Sequence, residues 1–394
     1  MIDLNSPENC RNPFPTYQWL RENRPVCQIK NGGMWAISRY KDVKEILTNP
    51  EQFSSKATRK VIAPTWIKER CRRILPLAMD DPPKHTRHRQ LINRAFASRI
   101  INRLESPIKK IATPIIDSIV DAKSIDLFED FSLPYCGNVI TLITGTTELQ
   151  PCAEIYHWLL EVTAMDIEKP DDATIRRLEA AIEKQVDYFE SVVKNRTIQP
   201  REDLVTEIIN AEIDGQQLTF TESVNMLDLI ARAGYMPPTH LLTLIMLTLA
   251  RRPDLLQLLQ QSPKRIPDFI EELLRHNSSV HALMRTTTEP VTLHSVTIPE
   301  NADVLLLVAS ANRDAAVFDD PDTFNIDRTP NPHLAFGFGP HICLGAELAR
   351  LELRILLEAL LPRINSIQCP DDRDLHWLPT IFFRGMDSLP LRFT

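Results

Sequence analysis

The 394-residue chain reads as a mainly α protein, helix-rich with small β-sheets. Three observations predict this. Apolar side chains recur at helical spacing along most of the sequence. Alternating runs rich in β-branched residues are few and short. Near the middle, Thr221–Ala250 carries a helical pattern about 30 residues and 45 Å long, enough to cross the whole molecule.

In chain order, the same spacing predicts helices over Pro15–Glu22, Lys41–Thr48, His85–Phe96, Ile100–Asp121, Ser132–Ile143, Ala153–Ala164, Asp172–Asn195, Asp203–Ala211, Thr221–Ala250, Pro253–Gln261, Pro267–His276 and Leu344–Leu361. Those at Pro15, Pro253 and Pro267 open on proline, which a first turn tolerates because its N–H has no helical partner. Strands are expected at Met34–Ser38, Val291–Ile298, Val304–Val308, Thr380–Phe383 and Leu389–Phe393. The thirty prolines are dispersed, and no linker, repeat or low-complexity stretch divides the chain, so residues 1–394 are expected to form a single domain.

Composition narrows the function. A hydrophobic content of 43% suits a globular core. No run of about 18 apolar residues appears, so a membrane span is not expected. The start, Met1-Ile-Asp-Leu-Asn, lacks the pattern of a signal peptide. Seven widely spaced cysteines argue against a disulfide framework and for a reducing, cytoplasmic setting. Net charge is −7, yet Lys56, Arg59, Lys60, Lys68, Arg70, Arg72 and Arg73 crowd one stretch, followed by Lys84, Arg87, Arg89, Arg94 and Arg99. This stretch is either a solvated surface or a dock for an anionic partner. Nucleic acid is excluded as a partner: the chain is acidic overall and no aromatic residues interleave with these charges.

One cysteine stands apart. Cys343 lies in His333-Leu-Ala-Phe-Gly-Phe-Gly-Pro-His-Ile-Cys343-Leu-Gly-Ala-Glu-Leu-Ala-Arg350. Of only ten glycines in the chain, Gly337, Gly339 and Gly345 fall here, permitting tight turns and left-handed angles. A strong helical run follows directly, so Cys343 sits at a helix N-terminus, where negative charge is favoured. A thiolate so placed can be an axial ligand of haem iron.

The segment resembles the cysteine loop of the cytochrome P-450 family, the haem-thiolate oxygenases, at nearly every position of Phe-Gly-x-Gly-x-His-x-Cys-x-Gly. The resemblance extends to Asn12-Pro-Phe-Pro-Thr-Tyr17, Ala311-Asn-Arg-Asp314 and Arg384-Gly-Met-Asp-Ser-Leu-Pro390. It implies the cytochrome P-450 fold in its soluble bacterial form, with haem b (iron protoporphyrin IX) between the long central helix and the cysteine-loop helix. Cys343 would be the metal ligand, and Phe336 would cover the thiolate side of the ring, with Gly337 and Gly345 shaping the loop. His85, Arg89, Arg285 and His333 match the family's propionate-binding positions. Glu272-Leu-Leu-Arg275 resembles the Glu-x-x-Arg motif, and Arg328 matches its third member, so these three are expected to form a structural network. Arg87 and the neighbouring basic residues would offer a dock for an acidic ferredoxin or flavodoxin.

The resemblance fails in the central helix. There the family carries Ala-Gly-x-Asp/Glu-Thr, whose acid and alcohol relay protons to dioxygen. Here Ala233-Gly234 is followed by Tyr235, Met236 and Pro237, and neither of the last two can relay a proton. Pro237 and Pro238 should also kink the helix or open a bulge. Thr239 or His240 could take over the relay, the substrate could bring its own acid, or the enzyme could use peroxide or rearrange a pre-oxidised substrate. Leu229, Arg232, Ala233, Met236 and Pro237 share one helical face. Arg232 is therefore either a clamp for an anionic substrate or a partner of Asp228, four residues earlier.

A second departure follows Arg275, where Ser279 replaces the family's proline and relaxes the chain. Val280, His281, Ala282, Leu283 and Met284 are expected to line the substrate pocket with Trp66, Leu229, Tyr235, Phe382 and Phe383. The implied activity is oxidation of a small natural product, such as a carboxylate-bearing, amino-acid-derived or carrier-protein-bound one, by hydroxylation, ring formation or a less usual step such as nitration. A peroxygenase or isomerase without a redox partner, and a non-catalytic module that recruits a carrier protein, are the alternatives.

Overall fold

The computed structural model describes residues 2–30, 33–62, 64–72, 75–96, 101, 103–145 and 170–394. The chain divides into two compact units. One comprises Met1–Phe53, Leu104–Tyr135 and Pro237–Thr394, the other Ser54–Arg103 and Cys136–Met236. The principal helices are α1 (Phe14–Asn23), α2 (Tyr40–Leu47), α3 (Lys84–Ala95), α4 (Glu105–Ala122), α5 (Leu133–Ile143), α6 (Asp172–Ile198), α7 (Leu204–Asn210), α8 (Phe220–Arg251), α9 (Pro253–Gln261), α10 (Ile266–His276) and α11 (Ala346–Leu360). The helix expected at Ala153–Ala164 lies outside the described residues.

In the first unit, the strands are β1 (Val26–Gln28), β2 (Trp35–Ile37), β3 (Ser124–Asp126), β4 (Leu283–Thr287), β5 (Val291–Leu293), β6 (Val296–Ile298), β7 (Asp303–Leu306), β8 (Ile367–Gln368) and β9 (Pro390–Phe393). Four strands of the larger sheet run in the order β1-β2-β7-β4, with β7 parallel to β2 and antiparallel to β4. Ile37, Val304 and Leu306 from this sheet pack with Val43 and Ile46 of α2 and with Phe318. Strand β4 was not predicted as a strand: Leu283 and Met284 were expected as pocket lining and Arg285 as a propionate ligand. Its register, Arg285 opposite Val304 and Leu283 opposite Leu306, fixes it as an antiparallel partner of β7.

Two predicted strands are corrected. Val291–Ile298 is a hairpin, because His294 and Ser295 take φ of 49° and 63° and reverse the chain. Thr380–Phe383 makes a single bridge, Phe383 to Val280, and no ladder.

In the second unit, α6 packs Leu178, Ala181, Ile182 and Val186 against Ile67 and Cys71. Two glycines permit close helix approach there. A Cβ at Gly137 would come within 2.6 Å of Tyr235 Oη, and one at Gly234 would collide with Ile140. Helix α8 runs from Phe220 to Arg251 through both prolines without ending at either. No described helix is long and apolar enough to cross a membrane.

Candidate functional site

The cysteine loop is held by its own backbone. The Cys343 N–H donates to Phe336 O and the Gly337 N–H to Leu334 O, both at 2.8 Å. Gly337 and Gly339 adopt φ of 72° and 71°, and a Cβ at Gly339 would press to 3.0 Å on Leu47 O and Thr48 Cγ2. Gly345 differs from the expectation of a left-handed turn: with φ of −88° it is the N-cap of α11. Cys343 therefore stands two residues before the cap, with its side chain exposed. A Cβ at Gly345 would meet nothing within 4 Å, so the loop presents an accessible thiol beside open space.

Residues that sequence reasoning missed support this loop. Glu271 on α10 accepts two bonds from Arg350 on α11, at 2.6 and 2.7 Å, and one from His333 Nε2 at 3.0 Å. Burial would raise the Glu271 carboxyl, but the bonds from Arg350 and His333 outweigh it and bring it down to about 2. Arg350 also lies over the Phe336 ring, 4.6 Å from its centroid, and the Glu271 carboxylate, with a smaller contribution from Cys343, raises its pKa. The available signal was spacing, since Arg350 falls seven residues after Cys343 on the following helix. His333 is fully engaged: its Nδ1 accepts from the Ala335 N–H at 3.3 Å while Nε2 meets Glu271. A propionate contact from His333 would have to displace one of these.

Glu272, Arg275 and Arg328 come together as the motif implies. Arg275 grips Glu272 with two bonds of 2.8 and 2.7 Å and donates to the carbonyls of Asn312, Pro321 and Thr323. Arg328 Nε lies 3.3 Å from Glu272, and the Asn325 N–H donates to it at 2.8 Å. Glu272 and Arg275 are each 1% exposed, so the pair is viable only because nearly every donor and acceptor is met. On β4, Arg285 is buried and donates to Met284 O at 2.7 Å.

The second unit carries the remaining propionate candidates. On α3, His85 is buried, and burial, with the Arg89 cation beside it, lowers its pKa. His88 was not singled out from sequence, yet it is fully buried between two carboxylates, Asp80 at 2.7 Å and Glu222 at 3.0 Å. Arg87 turns to Glu222 at 3.3 Å and Gln217 O at 2.8 Å. Part of the basic stretch is neutralised: Lys68 pairs with Glu179 and Arg70 with Asp187. Trp66 leans on the Ile67–Leu178 core.

On α8, of the two roles open to Arg232 the structure provides the pairing. Its Nε lies 2.7 Å from Asp228 Oδ1, and Nη2 donates to Gln185 at 3.0 Å. The predicted common face is only partly open. Leu229 and Pro237 are half-buried and Ala233 is exposed, whereas Met236 is 6% exposed. Tyr235 is buried against Gly137. Thr239 and His240 are also buried. The His240 ring stacks on Phe128 at 5.6 Å and abuts Gly385, so it faces packed protein. Burial, slightly offset by the Met386 backbone, brings His240 down to about 4.

The segment after Arg275 is pinned, not relaxed. The Arg384 N–H donates to Ser279 O and the His281 N–H to Phe382 O, both at 2.8 Å. His281 is buried, with Nδ1 3.2 Å from Tyr17 Oη, amid the Phe14 and Tyr17 rings. Burial, then Arg384 and Arg313, depress it strongly. Met284 is buried, while Val280, Leu283 and Phe382 keep partly open surfaces.

The donor set fits haem: an accessible thiol at the start of a helix, space over Gly345, and a buried arginine on a strand whose Leu283 lies 3.9 Å from a Cβ built on Gly337. The comparisons with known proteins agree. The cytochrome P450 family model matches residues 11–381. Cytochrome P450 109 of Bacillus spizizenii is 34% identical, covering 100% of this chain and 95% of that protein. Cyclomarin C epoxidase CymV of Salinispora arenicola is 34% identical, with 89% of each chain covered. The solved structure of cytochrome P450 CYP109Q5 from Chondromyces apiculatus superposes with a TM-score of 0.90 at 32% identity, over 100% of this chain and 98% of that one. With an exposed thiol in a glycine-turned loop, a buried Glu-x-x-Arg pair and this likeness over its full length, the chain belongs to the cytochrome P450 family of haem b monooxygenases.

Proposed function

We propose that the protein tailors a small natural product by oxidation, drawing electrons from a ferredoxin or flavodoxin, with the substrate free or bound to a carrier protein. The observation that carries this reading is the Cys343 loop: an exposed thiol ahead of α11, braced by Phe336 O and by the Arg350–Glu271 pair. Haem bound there would supply dioxygen activation, helped by thiolate donation. Cys343 Sγ would hold the iron, and Arg285, His85 and Arg89 would hold propionates. The likeness to an enzyme named as an epoxidase of cyclomarin C supports a secondary metabolite as substrate.

Proton supply sets this chain apart. Met236 and Pro237 hold the acid and alcohol positions and have no proton to give. Arg232 is an unpromising carboxylate clamp, because its charge is matched by Asp228, which is 1% exposed. Breaking such a buried pair costs about 3–5 kcal/mol. With His240 facing packed protein, a donor on the substrate or Thr239 is left to deliver the proton, and peroxide-driven oxidation is the second reading. The test is product formation from a panel of secondary metabolites, with reduced ferredoxin and dioxygen in one arm and hydrogen peroxide in the other. Product in the first arm supports monooxygenation. Product in the peroxide arm alone selects the second reading, and haem-loaded protein inert in both contradicts the proposal.

A further inference from the structure

The two prolines of α8 change its backbone chemistry. In an α-helix each N–H donates to the carbonyl four residues earlier. Proline has no N–H. Pro237 therefore cannot serve Ala233 O, and Pro238 cannot serve Gly234 O. Each ring also crowds the carbonyl that it fails to bond, tilting it away from the helix. Yet the helix continues from Phe220 to Arg251. Two adjacent carbonyl oxygens have thus lost their helical donors inside an otherwise intact helix.

Their setting is open. Ala233 is exposed, and Gly234, Pro237 and Pro238 are only partly buried. Around them Asp228, Ala231, Tyr235, Met236, Thr239 and His240 are all buried, none more than 6% exposed. A Cβ on Gly234 would collide with the Ile140 side chain. Two neighbouring carbonyls without their helical donors, on an open stretch of helix, form a localised acceptor for a hydroxyl or amide N–H.

We infer that Ala233 O and Gly234 O form a substrate subsite that accepts hydrogen bonds, selecting molecules with a hydroxyl or N–H donor on an apolar skeleton. Leu229, one turn before Ala233 on the same open stripe, supplies apolar contact to that skeleton. The inference rests on the proposed oxidation of a small organic substrate and narrows its class: a donor-bearing substrate, not a carboxylate gripped by Arg232. The same donor would stand where the family's acid and alcohol are missing.

The test uses haem-loaded protein and two probes that differ only in the donor, dodecan-1-ol and its methyl ether. Dissociation constants are read from the haem difference spectrum for wild type and for Pro237→Ala/Pro238→Ala, which restores both N–H groups. Removing proline from a helix interior favours folding, so a raised melting temperature is expected and shows that the two bonds have formed. Wild type should bind the alcohol about tenfold more tightly than the ether, the worth of one good hydrogen bond. The double variant should lose that preference and keep its affinity for the ether. A preference unchanged in the variant would overturn the inference, as would a wild type that ignores both probes. The carbon monoxide spectrum of the same reduced samples reports the haem–thiolate assignment separately, so failure of the subsite is distinguishable from failure of the enzyme reading.

Discussion

Replacing Glu271 by glutamine tests how the cysteine-loop helix is anchored. Glu271 receives both guanidinium bonds of Arg350 and the His333 imidazole. A carboxyl held at about 2 in place of its ordinary 4.5 corresponds to roughly 3 kcal/mol, at about 1.4 kcal/mol per pH unit. The Glu271 and Arg350 side chains are 32% and 39% exposed, so solvent screening reduces this to about 1–2 kcal/mol. Because the folded pKa is depressed, the contribution is complete above pH 4.5 and disappears as pH falls towards 2. Urea denaturation of wild type and Glu271→Gln at matched haem loading should therefore give a difference of about 1–2 kcal/mol at pH 7, shrinking steadily below pH 4.5. Equal stabilities at pH 7, or a gap unchanged at pH 3, would refute the electrostatic account of this anchor.

Three further outcomes are expected. Arg275→Leu strands the buried Glu272 carboxylate and should cost about 3–5 kcal/mol, seen as loss of haem content and a lowered melting temperature. Gly137→Ala should destabilise by about 1–3 kcal/mol through its clash with Tyr235 Oη, and adding Tyr235→Phe should recover much of the loss; an unaffected single variant would contradict the packing. His240, neutral in its packed site and held at about 4, lets the unfolded chain bind a proton first as pH falls below 6.5. Stability should decline between pH 6.5 and 4 by up to about 3 kcal/mol, and His240→Phe should flatten that decline in pH-dependent denaturation.

Much of this was legible in the sequence because it is local. The 3.6-residue spacing locates α2, α6 and α9 to within a few residues of their observed ends, and the glycines around Cys343 foretell its turns. The Glu-x-x-Arg pair is local too, since three residues on a helix share a face. What escaped depends on contacts between distant segments. Glu271 is an ordinary helical acid until Arg350, 79 residues later, reaches it. His88 reads as a surface histidine until Asp80 and Glu222 close on either side. Strand β4 is short and carries an arginine, so only its ladder with β7 reveals it. Arg232 shares its guanidinium between Asp228 and Gln185; helical spacing could suggest the first partner but not the second. Val291–Ile298 looked like one strand because its apolar residues alternate; the reversal at His294–Ser295 comes from backbone angles that side-chain pattern does not encode.

The central claim is that the Cys343 thiolate is the axial ligand of haem. The direct measurement is the carbon monoxide difference spectrum of the reduced, haem-supplemented protein, taken beside Cys343→Ser. A strongly red-shifted carbonyl band is expected in wild type and should vanish in the serine variant. A wild type that takes up no haem, or a band that survives the substitution, would contradict it.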